Sequence, residues 1–585
     1  MERRADTKSL AAKHYRSTIY FALMTISRPA PHHEVSLGAT PARLALLSAL
    51  GLSLGIVGGL AAYLFVKLVA LVSNLALLHR VGFSLPNLSD YHPGPALVPV
   101  AVVGGLAVVG LSLWTPIIRG HGIPESLETI VLRGSRIRPR VVVAKPLSAA
   151  IAMGTGGPFG AEGPIIVTGG GIGSLLGQIV PVTAAERRIL LATGAAAGMA
   201  GVFATPIAAV VMAFELLLFE RSLRALLPLS LACALATEIH FLTLGTEPLF
   251  HAAAIHTPGG LQLPLFAVLG AAAGLLAVVI NKGLFAWEAL FRRSRIPELW
   301  HPVAGALGFA LVGLAVPGSL SVGYWAISDA VNGRFLAGAA LALAAAKLLS
   351  WWIALASNTS GGTLAPIFLI ASTLGEATGI GFSHLFPALH VQPAAFALVA
   401  MGATFGAAAR ALLTGGVFAL EVTGANHLVV PMLLCAGVAE LVAGWMLPER
   451  IMTDKLVRRG YRVEFDTQVD PFRTTVAAQV MKPLTQVPEG DELPIVSVTS
   501  FLHDALDYFL TTGAEQVVVV DGETPVGILS RSALKDALAR RQSENELQPP
   551  TLHPWRAIDR LRRRLRAPEP ANGVGGNFPG GEVAE

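Results

Sequence analysis

The sequence predicts an all-α polytopic membrane protein, built from an internal repeat with broken helices and followed by a small soluble α/β domain. Of its 585 residues, 53% are hydrophobic and only 14% are charged, and the mean hydropathy is +0.61. An ordinary soluble domain carries about 25% charged residues, so this chain belongs to another class. The apolar segments lie between residues 42 and 460, and the composition turns polar after them.

The apolar region contains segments long enough to cross a bilayer, separated by short charged or Gly/Pro-rich joints. Examples are residues 44–72, 96–114, 265–280 and 336–356. Many other apolar segments are shorter than the roughly 20 residues that a full crossing needs. Because many of the 61 glycines and 38 prolines lie inside this region, we expect broken helices whose ends meet within the protein.

Residues 1–41 are predicted to be a cytoplasmic segment, and their one short apolar run lacks the small-residue cleavage site of a removable signal. The net charge of +5 is concentrated in the C-terminal tail and in one joint, with Arg133, Arg136, Arg138 and Arg140. The positive-inside rule assigns such joints to the cytoplasm. The charge pattern does not fit a nucleic-acid-binding fold. The expected location is a bacterial inner membrane.

An internal repeat organises the membrane region. One copy runs from a Gly-xxx-Gly helix at Gly194, through a short break, into an apolar segment that ends at Glu215; the second copy begins at Gly402 and ends at Glu421. Such repeats are commonly inverted in the membrane plane, with the substrate site where broken helices converge. The glycines alone fit helix packing equally well. The glutamates are expected to be buried partners of backbone amides or arginines.

Three Gly-rich joints carry the expected chemistry. They are Gly120-His121-Gly122-Ile123-Pro124, Gly160-Ala161-Glu162-Gly163-Pro164 and Gly361-Gly362-Thr363-Leu364-Ala365-Pro366. Each combines glycine, which lets backbone N–H groups turn toward a ligand, with a proline suited to a first helical turn. Helix N-termini present unpaired N–H donors and about half a positive charge, and so bind anions without a cation. Several such ends at one place would hold a halide and still release it.

Glu162 is the first functional candidate. An ionised side chain inside a membrane costs roughly 2.5–3.5 kcal/mol, so a carboxylate that is kept there indicates a use. Glu162 stands between glycines and a proline, at an expected helix start. A carboxylate on such a joint can imitate the anion at a helix-end site.

The three joints, in this order within a repeated membrane domain, resemble the CLC family of chloride channels and proton/chloride exchangers. The resemblance covers residues 42–460 and includes Lys145, Glu215 and the Ile451-Met452-Thr453-Asp454 segment. It implies a transport protein rather than an enzyme, a homodimer with one pathway per subunit, chloride or a similar small anion as substrate, and no cofactor. It also implies that Glu162 is the gate, whose carboxylate occupies an anion site until it is protonated or swings away.

Two positions depart from the family pattern at the central anion site. His121 stands where members usually have serine, and Met452 where they usually have tyrosine. Anion binding is therefore expected to depend mainly on backbone amides. His121 is either a hydrogen-bonded residue near the cytoplasmic mouth or, as a hypothesis, a group that adds positive charge to the pathway in mild acid.

Coupling to protons is the open question. In exchangers of the family a glutamate beside the position of Glu215 relays protons toward the cytoplasm, and this chain has Leu216 there. Because leucine cannot carry a proton, the sequence favours passive or weakly coupled chloride flow. A proton/chloride antiporter with an unusual inner relay is the alternative, since some exchangers lack that glutamate.

Other ionisable groups lie in apolar stretches, and structural pairing among them is favoured over a part in transport. The cations are Lys145, Lys347 and Arg410, and the candidate partners are Glu215, Glu376 and Glu421. A membrane-embedded hydrolase is a remote alternative, because the apolar region has neither a His-Glu-x-x-His helix nor a Gly-x-Ser-x-Gly turn. Cys233 and Cys435 fit burial as small hydrophobes, and no metal site is expected.

Residues 461–475 are predicted to be a linker, and residues 476–540 alternate apolar strands with helices. The expected strands are residues 495–498, 516–520 and 526–530, and the expected helices are residues 502–510 and 533–539. This order resembles one CBS repeat, which implies pairing across a dimer. Such modules often bind adenosine nucleotides through an aspartate three residues after the Ser/Thr that follows the last strand. Ser530 is followed there by Ala533, so nucleotide binding is not expected.

Residues 541–585 are predicted to be a basic, partly disordered tail. A helical stripe of Ile558, Leu561 and Leu565 is surrounded by arginines. Such a helix fits binding to anionic lipid as well as a solvated charged helix. The Gly-rich end from residue 571 is expected to be disordered.

Overall fold

The computed structural model describes most of the membrane region and part of the C-terminal domain. The described residues are 41–120, 122–218, 222–252, 255–447, 450–457, 476–484, 495–500, 502, 505–506, 509, 514–521 and 524–536. The predictions for residues 1–40, for His121, for the linker and for the basic tail concern residues outside this described part.

Helices make up the described membrane region, because a segment in lipid must satisfy its backbone hydrogen bonds internally. In chain order they are α1 (Pro41–Leu78), α2 (Leu97–Trp114), α3 (Ile123–Leu132), α4 (Pro139–Gly154), α5 (Glu162–Ile179), α6 (Ala184–Phe203), α7 (Pro206–Met212), α8 (Leu223–Leu244), α9 (Leu263–Arg293), α10 (His301–Ala315), α11 (Tyr324–Val331), α12 (Ala337–Ala356), α13 (Leu364–Leu385), α14 (Pro393–Ala409), α15 (Leu412–Thr423), α16 (Val429–Met446) and α17 (Asp454–Val457). A π-helical turn, Ala213–Leu217, follows α7 directly.

Within the described residues, eight helices are long and apolar enough to cross a membrane: α1, α2, α8, α9, α10, α12, α13 and α16. Helices α7, α14 and α15 are apolar but shorter. The broken helices expected from glycine and proline are present. The chain breaks between α6 and α7 at Ala204 and between α14 and α15 at Arg410, where the backbone is left-handed with φ of 54° and 59°.

Glycines let the helices around these breaks pack backbone to backbone. A Cβ on Gly169 of α5 would overlap the carbonyl of Gly194 in α6, and a Cβ on Gly194 would overlap the carbonyl of Gly169. Gly402 and Gly415 form the equivalent close approach between α14 and α15. The packing interpretation of the repeat glycines is therefore confirmed for Gly194 and Gly402.

The repeat itself is visible in matched contacts. Glu215 accepts hydrogen bonds from the amides of Leu413 and Thr414 at the start of α15, at 3.0 and 2.7 Å. Glu421 accepts from two amides at the start of α7, at 3.1 and 2.8 Å. Each half caps the broken helix of the other half with its own glutamate. The prediction that these glutamates bind backbone amides is confirmed.

The prediction that the buried lysines pair with glutamates is wrong, because both lysines bind backbone carbonyl groups instead. Lys145 Nζ donates to the carbonyl groups of Ile118 and Gly120, both at 2.7 Å. Lys347 Nζ donates to two carbonyl groups of the loop before α11, at 3.0 and 2.7 Å. Each lysine thus holds the carbonyl groups of a joint, in matching places of the two halves. Arg410 is exposed at its break.

The described C-terminal residues form the predicted small α/β unit. Its strands β1 (Lys482–Pro483), β2 (Ile495–Ser497), β3 (Gln516–Asp521) and β4 (Thr524–Ser530) make one sheet in the order β1-β4-β3-β2. β2 pairs with β3 in parallel, and the other pairs are antiparallel. Leu502, Ala505 and Phe509 pack their side chains into its core, as the amphipathic pattern predicts. The strand β1 was not expected from the sequence.

Candidate anion site at converging helix ends

The three Gly-rich joints meet at one place. An antiparallel bridge joins Gly160 to Gly362, whose amides and carbonyls exchange hydrogen bonds of 3.2 and 3.0 Å. A parallel bridge joins Gly120 to Ser360. The first and second joints are therefore both tied to the third, as convergence of broken helices predicts.

Gly122 shows why this junction needs glycine. Its φ is 102°, a left-handed backbone that L side chains rarely adopt, and a Cβ there would overlap the backbone of Gly163. The first joint thus packs directly on the start of α5. A larger residue would separate the two helix ends.

Glu162 lies at the centre of the junction. It is the first residue of α5 and is only 1% exposed. Its Oε1 accepts a hydrogen bond from the amide of Leu364, the first residue of α13, and the Ala365 amide also faces the carboxylate. Its Oε2 is buried and has no hydrogen-bond partner among the described residues. We call this position, the Glu162 carboxylate against the first amides of α13, the gate seat.

Helix ends give the junction its positive potential. Helices α3, α5 and α13 begin at Ile123, Glu162 and Leu364, and the first amides of each helix lack intrahelical acceptors. The amide of Gly122 differs, because it donates to the carboxylate of Glu125. An anion at the first joint would therefore have to use amides other than that of Gly122.

The remaining predicted site residues at the joints are also buried. They are Ile123, Pro124, Ala161, Pro164, Gly361, Thr363 and Ala365. Met452 is buried in the turn that follows α16, and Leu216 is buried in the π-helical turn after α7. His121 lies outside the described residues, so its contact with an anion stays a prediction.

One residue that the sequence places in the first joint, Glu125, was given no role there, and a second residue at the junction, Tyr324, was missed. Glu125 caps α3 by accepting from the Gly122 amide, and the three-residue spacing of a capping box was the available signal. Tyr324 begins α11, and its buried hydroxyl lies near Glu162. The repeat was the signal for Tyr324, because Gly323 before α11 is left-handed like Gly122 before α3.

A cavity of 290 Å³ opens beside the first joint. Glu125 and Gln178 form part of its wall, together with the joint arginines Arg133, Arg136 and Arg138. Arg133 also pairs with Glu128 at 3.4 Å. A cleft with this excess of positive charge raises the local concentration of anions on the side of the membrane that the positive-inside rule assigns to the cytoplasm.

A Gly160→Ala variant is expected to push the Glu162 carboxylate out of the gate seat. A Cβ at Gly160 would overlap both carboxylate oxygens, which are the movable end of a side chain. Overpacking of about 1–3 kcal/mol lowers the seated population about tenfold, so efflux from proteoliposomes of the anion that the family resemblance implies should rise. The control is Gly381→Ala in α13, where a Cβ meets nothing within 4 Å. Equal efflux from the two variants would contradict the gate seat.

The comparisons with known proteins agree on one family. A family model described as voltage gated chloride channel matches residues 103–444. The H(+)/Cl(-) exchange transporter ClcA of Citrobacter koseri is 30% identical over 423 residues, which cover 70% of this chain and 86% of that protein. The ClcA of Salmonella arizonae is 29% identical over 452 residues, covering 74% and 93%.

Solved structures show the same fold. A slow cyanobacterial Cl-/H+ antiporter is similar with a TM-score of 0.62 and 27% identity, over 72% of this chain and 99% of that one. A eukaryotic CLC transporter, at 18% identity, shares the fold with a TM-score of 0.61, over 84% and 98%. These likenesses confirm the predicted fold class of the membrane domain.

These findings also decide the coarse class of the protein. The eight membrane-length helices of the described part and the CLC structures confirm a multi-pass integral membrane protein, and the bacterial relatives agree with an inner membrane. The family consists of transport proteins, which fits the prediction that the chain is not an enzyme and needs no cofactor. The family model, the relatives and the helix junction together show that this chain belongs to the CLC family of anion transport proteins.

Proposed function

We propose that this protein exchanges chloride for protons, with Glu162 as the group that binds the proton and gates the anion. The observation that carries the proposal is the Glu162 carboxylate, buried at the start of α5 and bonded to the Leu364 amide of α13. A group that can be protonated stands where helix ends favour an anion. Relatives named H(+)/Cl(-) exchange transporters support exchange, and this reverses the sequence-based order, which put passive flow first.

Competition for the gate seat would couple the two ions. The ionised carboxylate accepts from the amides of α13 and excludes chloride. Protonation removes the negative charge, so the same amides then favour chloride over the neutral acid. The protonated Glu162 side chain leaves the seat as chloride enters it. The proton and the chloride therefore move in opposite directions.

We infer that backbone amides at the joints coordinate the anion. The residues around the gate seat are Gly160, Ala161, Gly163, Gly361, Gly362, Thr363, Leu364 and Ala365, with Pro164 fixing the start of α5. Those at the first joint are Gly120, His121, Gly122, Ile123 and Pro124, with Met452 as an apolar wall. Lys145 serves this arrangement indirectly, since its ammonium binds two carbonyl groups of the first joint. Coordination by dipoles alone lets chloride leave quickly.

A passive or weakly coupled channel is the second candidate, and one observation favours it. Leu216, at the position of the family's inner proton relay, is buried and apolar. Exchange would require protons to reach Glu162 from the cytoplasm by another route, for which a chain of water molecules is the simplest carrier.

The reversal potential of the wild-type protein in proteoliposomes separates the two candidates. With a fixed chloride gradient, an opposed proton gradient is expected to shift the potential at which current is zero. The matched control is Glu162→Gln, which keeps the shape of the side chain and cannot release a proton. A wild-type reversal potential that follows chloride alone would favour the channel.

We also propose a homodimer in which the C-terminal unit pairs with its counterpart, as its likeness to one CBS repeat suggests. Ala533 is buried beside the Ser530 hydroxyl, which its amide contacts at 3.3 Å. No carboxylate is available at that position for a ribose. The expected role of this unit is therefore dimerisation rather than nucleotide binding.

A further inference from the structure

Tyr324 carries a buried hydroxyl that the fold does not satisfy. It is the first residue of α11, and its hydroxyl has no hydrogen-bond partner among the described residues. Its ring packs edge-on against Phe250 at 5.5 Å and Phe203 at 6.3 Å. A buried tyrosine normally finds a partner for its hydroxyl. An unpaired donor in such a setting needs a reason.

The gate seat offers that reason. The Tyr324 hydroxyl lies near the Glu162 carboxylate and near the backbone of Ala161, the residue before α5, without a hydrogen bond to either. Oε2 of Glu162 is itself buried without a partner among the described residues. A buried unpaired donor and a buried unpaired acceptor therefore lie near the same helix start.

The loop before Tyr324 is built to hold this position. Lys347 Nζ donates to the carbonyl groups of Ser319 and Ser321, at 3.0 and 2.7 Å. The Ser321 amide donates to the carbonyl of Gly156, at 2.9 Å, in the joint that leads to α5. This backbone hydrogen bond ties the loop before Tyr324 to the segment that leads to α5.

The repeat shows that the hydroxyl is not a requirement of the fold. In the first half, Lys145 holds the carbonyl groups of Ile118 and Gly120, and the first residue of the following helix is Ile123. In the second half, the residue at the same offset from the lysine-bound carbonyl groups is Tyr324. At this offset the second half carries a hydroxyl donor and the first half carries none.

We propose that the Tyr324 hydroxyl is a ligand of the gate seat, donating a hydrogen bond to the anion that replaces the Glu162 carboxylate when the gate has left. This inference rests on the proposed function and adds a side-chain donor to a site otherwise made of backbone amides. A neutral hydroxyl strengthens binding of a small anion and adds no fixed charge that would trap it. Tyr324 is then a residue that sets affinity and anion preference.

The test measures chloride binding by calorimetry to the full-length protein in detergent. In a Glu162→Gln background, Tyr324→Phe is expected to weaken chloride binding about tenfold, the effect of one hydrogen bond to an anion. Phenylalanine keeps the ring packing, so folding should be unaffected. The matched control is Tyr63→Phe in α1, a tyrosine whose ring lies under the Lys67 ammonium at 5.4 Å.

A second readout separates a ligand from a packing residue. Binding of thiocyanate, a large and weakly hydrated anion, should fall less than binding of chloride, because it gains less from a donor. Equal chloride affinity with and without Tyr324→Phe would overturn this inference and leave the proposed function standing. A Glu162→Gln protein that binds no chloride at all would overturn both.

Discussion

If the proposed exchange is correct, Glu162→Ala is expected to turn this protein into a passive chloride pathway. The substitution removes the carboxylate that accepts from the Leu364 amide and leaves the amides of α5 and α13 to chloride alone. No group at the gate seat can then carry a proton. A tenfold proton gradient, worth about 1.4 kcal/mol, should therefore no longer shift the reversal potential, and chloride efflux should rise.

The control for this prediction is Glu376→Gln. Glu376, in α13, is a fully buried carboxylate like Glu162 in α5. It accepts a hydrogen bond from the Phe335 amide at 2.8 Å, and neither residue of this pair belongs to the three joints. Glutamine keeps an acceptor oxygen for that amide, so coupling should survive. If Glu162→Ala still moved protons against chloride, the gate would have to be another residue.

The sequence allowed the junction to be predicted because its parts depend on local chemistry. A glycine that permits a left-handed backbone and a proline at a first turn mark a helix start wherever they occur. Gly122 and Pro164 are such residues, and the helices begin beside them. A charged residue in an apolar run is equally local, which is why Glu162 could be chosen before its partner was known.

Partners across the fold could not be predicted, because they depend on where distant segments meet. Lys145 was expected to pair with a glutamate, yet it binds the carbonyl groups of Ile118 and Gly120. Every residue has a backbone carbonyl group, so the sequence does not show where several of them will be buried together. A lysine that binds carbonyl groups therefore cannot be distinguished, from the sequence, from a lysine that pairs with a carboxylate. Tyr324 was missed for a related reason, since it lies far from Glu162 along the chain and near it only in the fold.

Glu215→Ala and Glu421→Ala are expected to destabilise the membrane domain more than they affect coupling. Each removes an acceptor from two helix amides, which are those of Leu413 and Thr414 for one glutamate and those of Ile207 and Ala208 for the other. The bonds from Leu413 and Ile207 are exposed, and those from Thr414 and Ala208 are partly buried. A buried donor left unsatisfied costs about 1–3 kcal/mol, so we expect each variant to lose about that much, mainly at the partly buried amide. That loss is a large part of the free energy of unfolding of a typical protein, which is about 5–15 kcal/mol. The melting temperature of each purified variant should therefore be clearly lower than that of the wild type.

The matched variants Glu215→Gln and Glu421→Gln keep an acceptor oxygen and should recover part of the lost stability. The effect of Glu215→Ala should exceed that of Glu421→Ala, because the Glu215 carboxylate also accepts from the Thr414 hydroxyl at 2.6 Å. Melting temperatures equal to wild type in both alanine variants would contradict the reciprocal capping. Since neither carboxylate lies at the gate seat, protein that remains folded should still couple protons to chloride. We therefore expect stability and the proposed coupling to depend on different glutamates. A Glu215 or Glu421 variant that lost coupling without losing stability would contradict this separation.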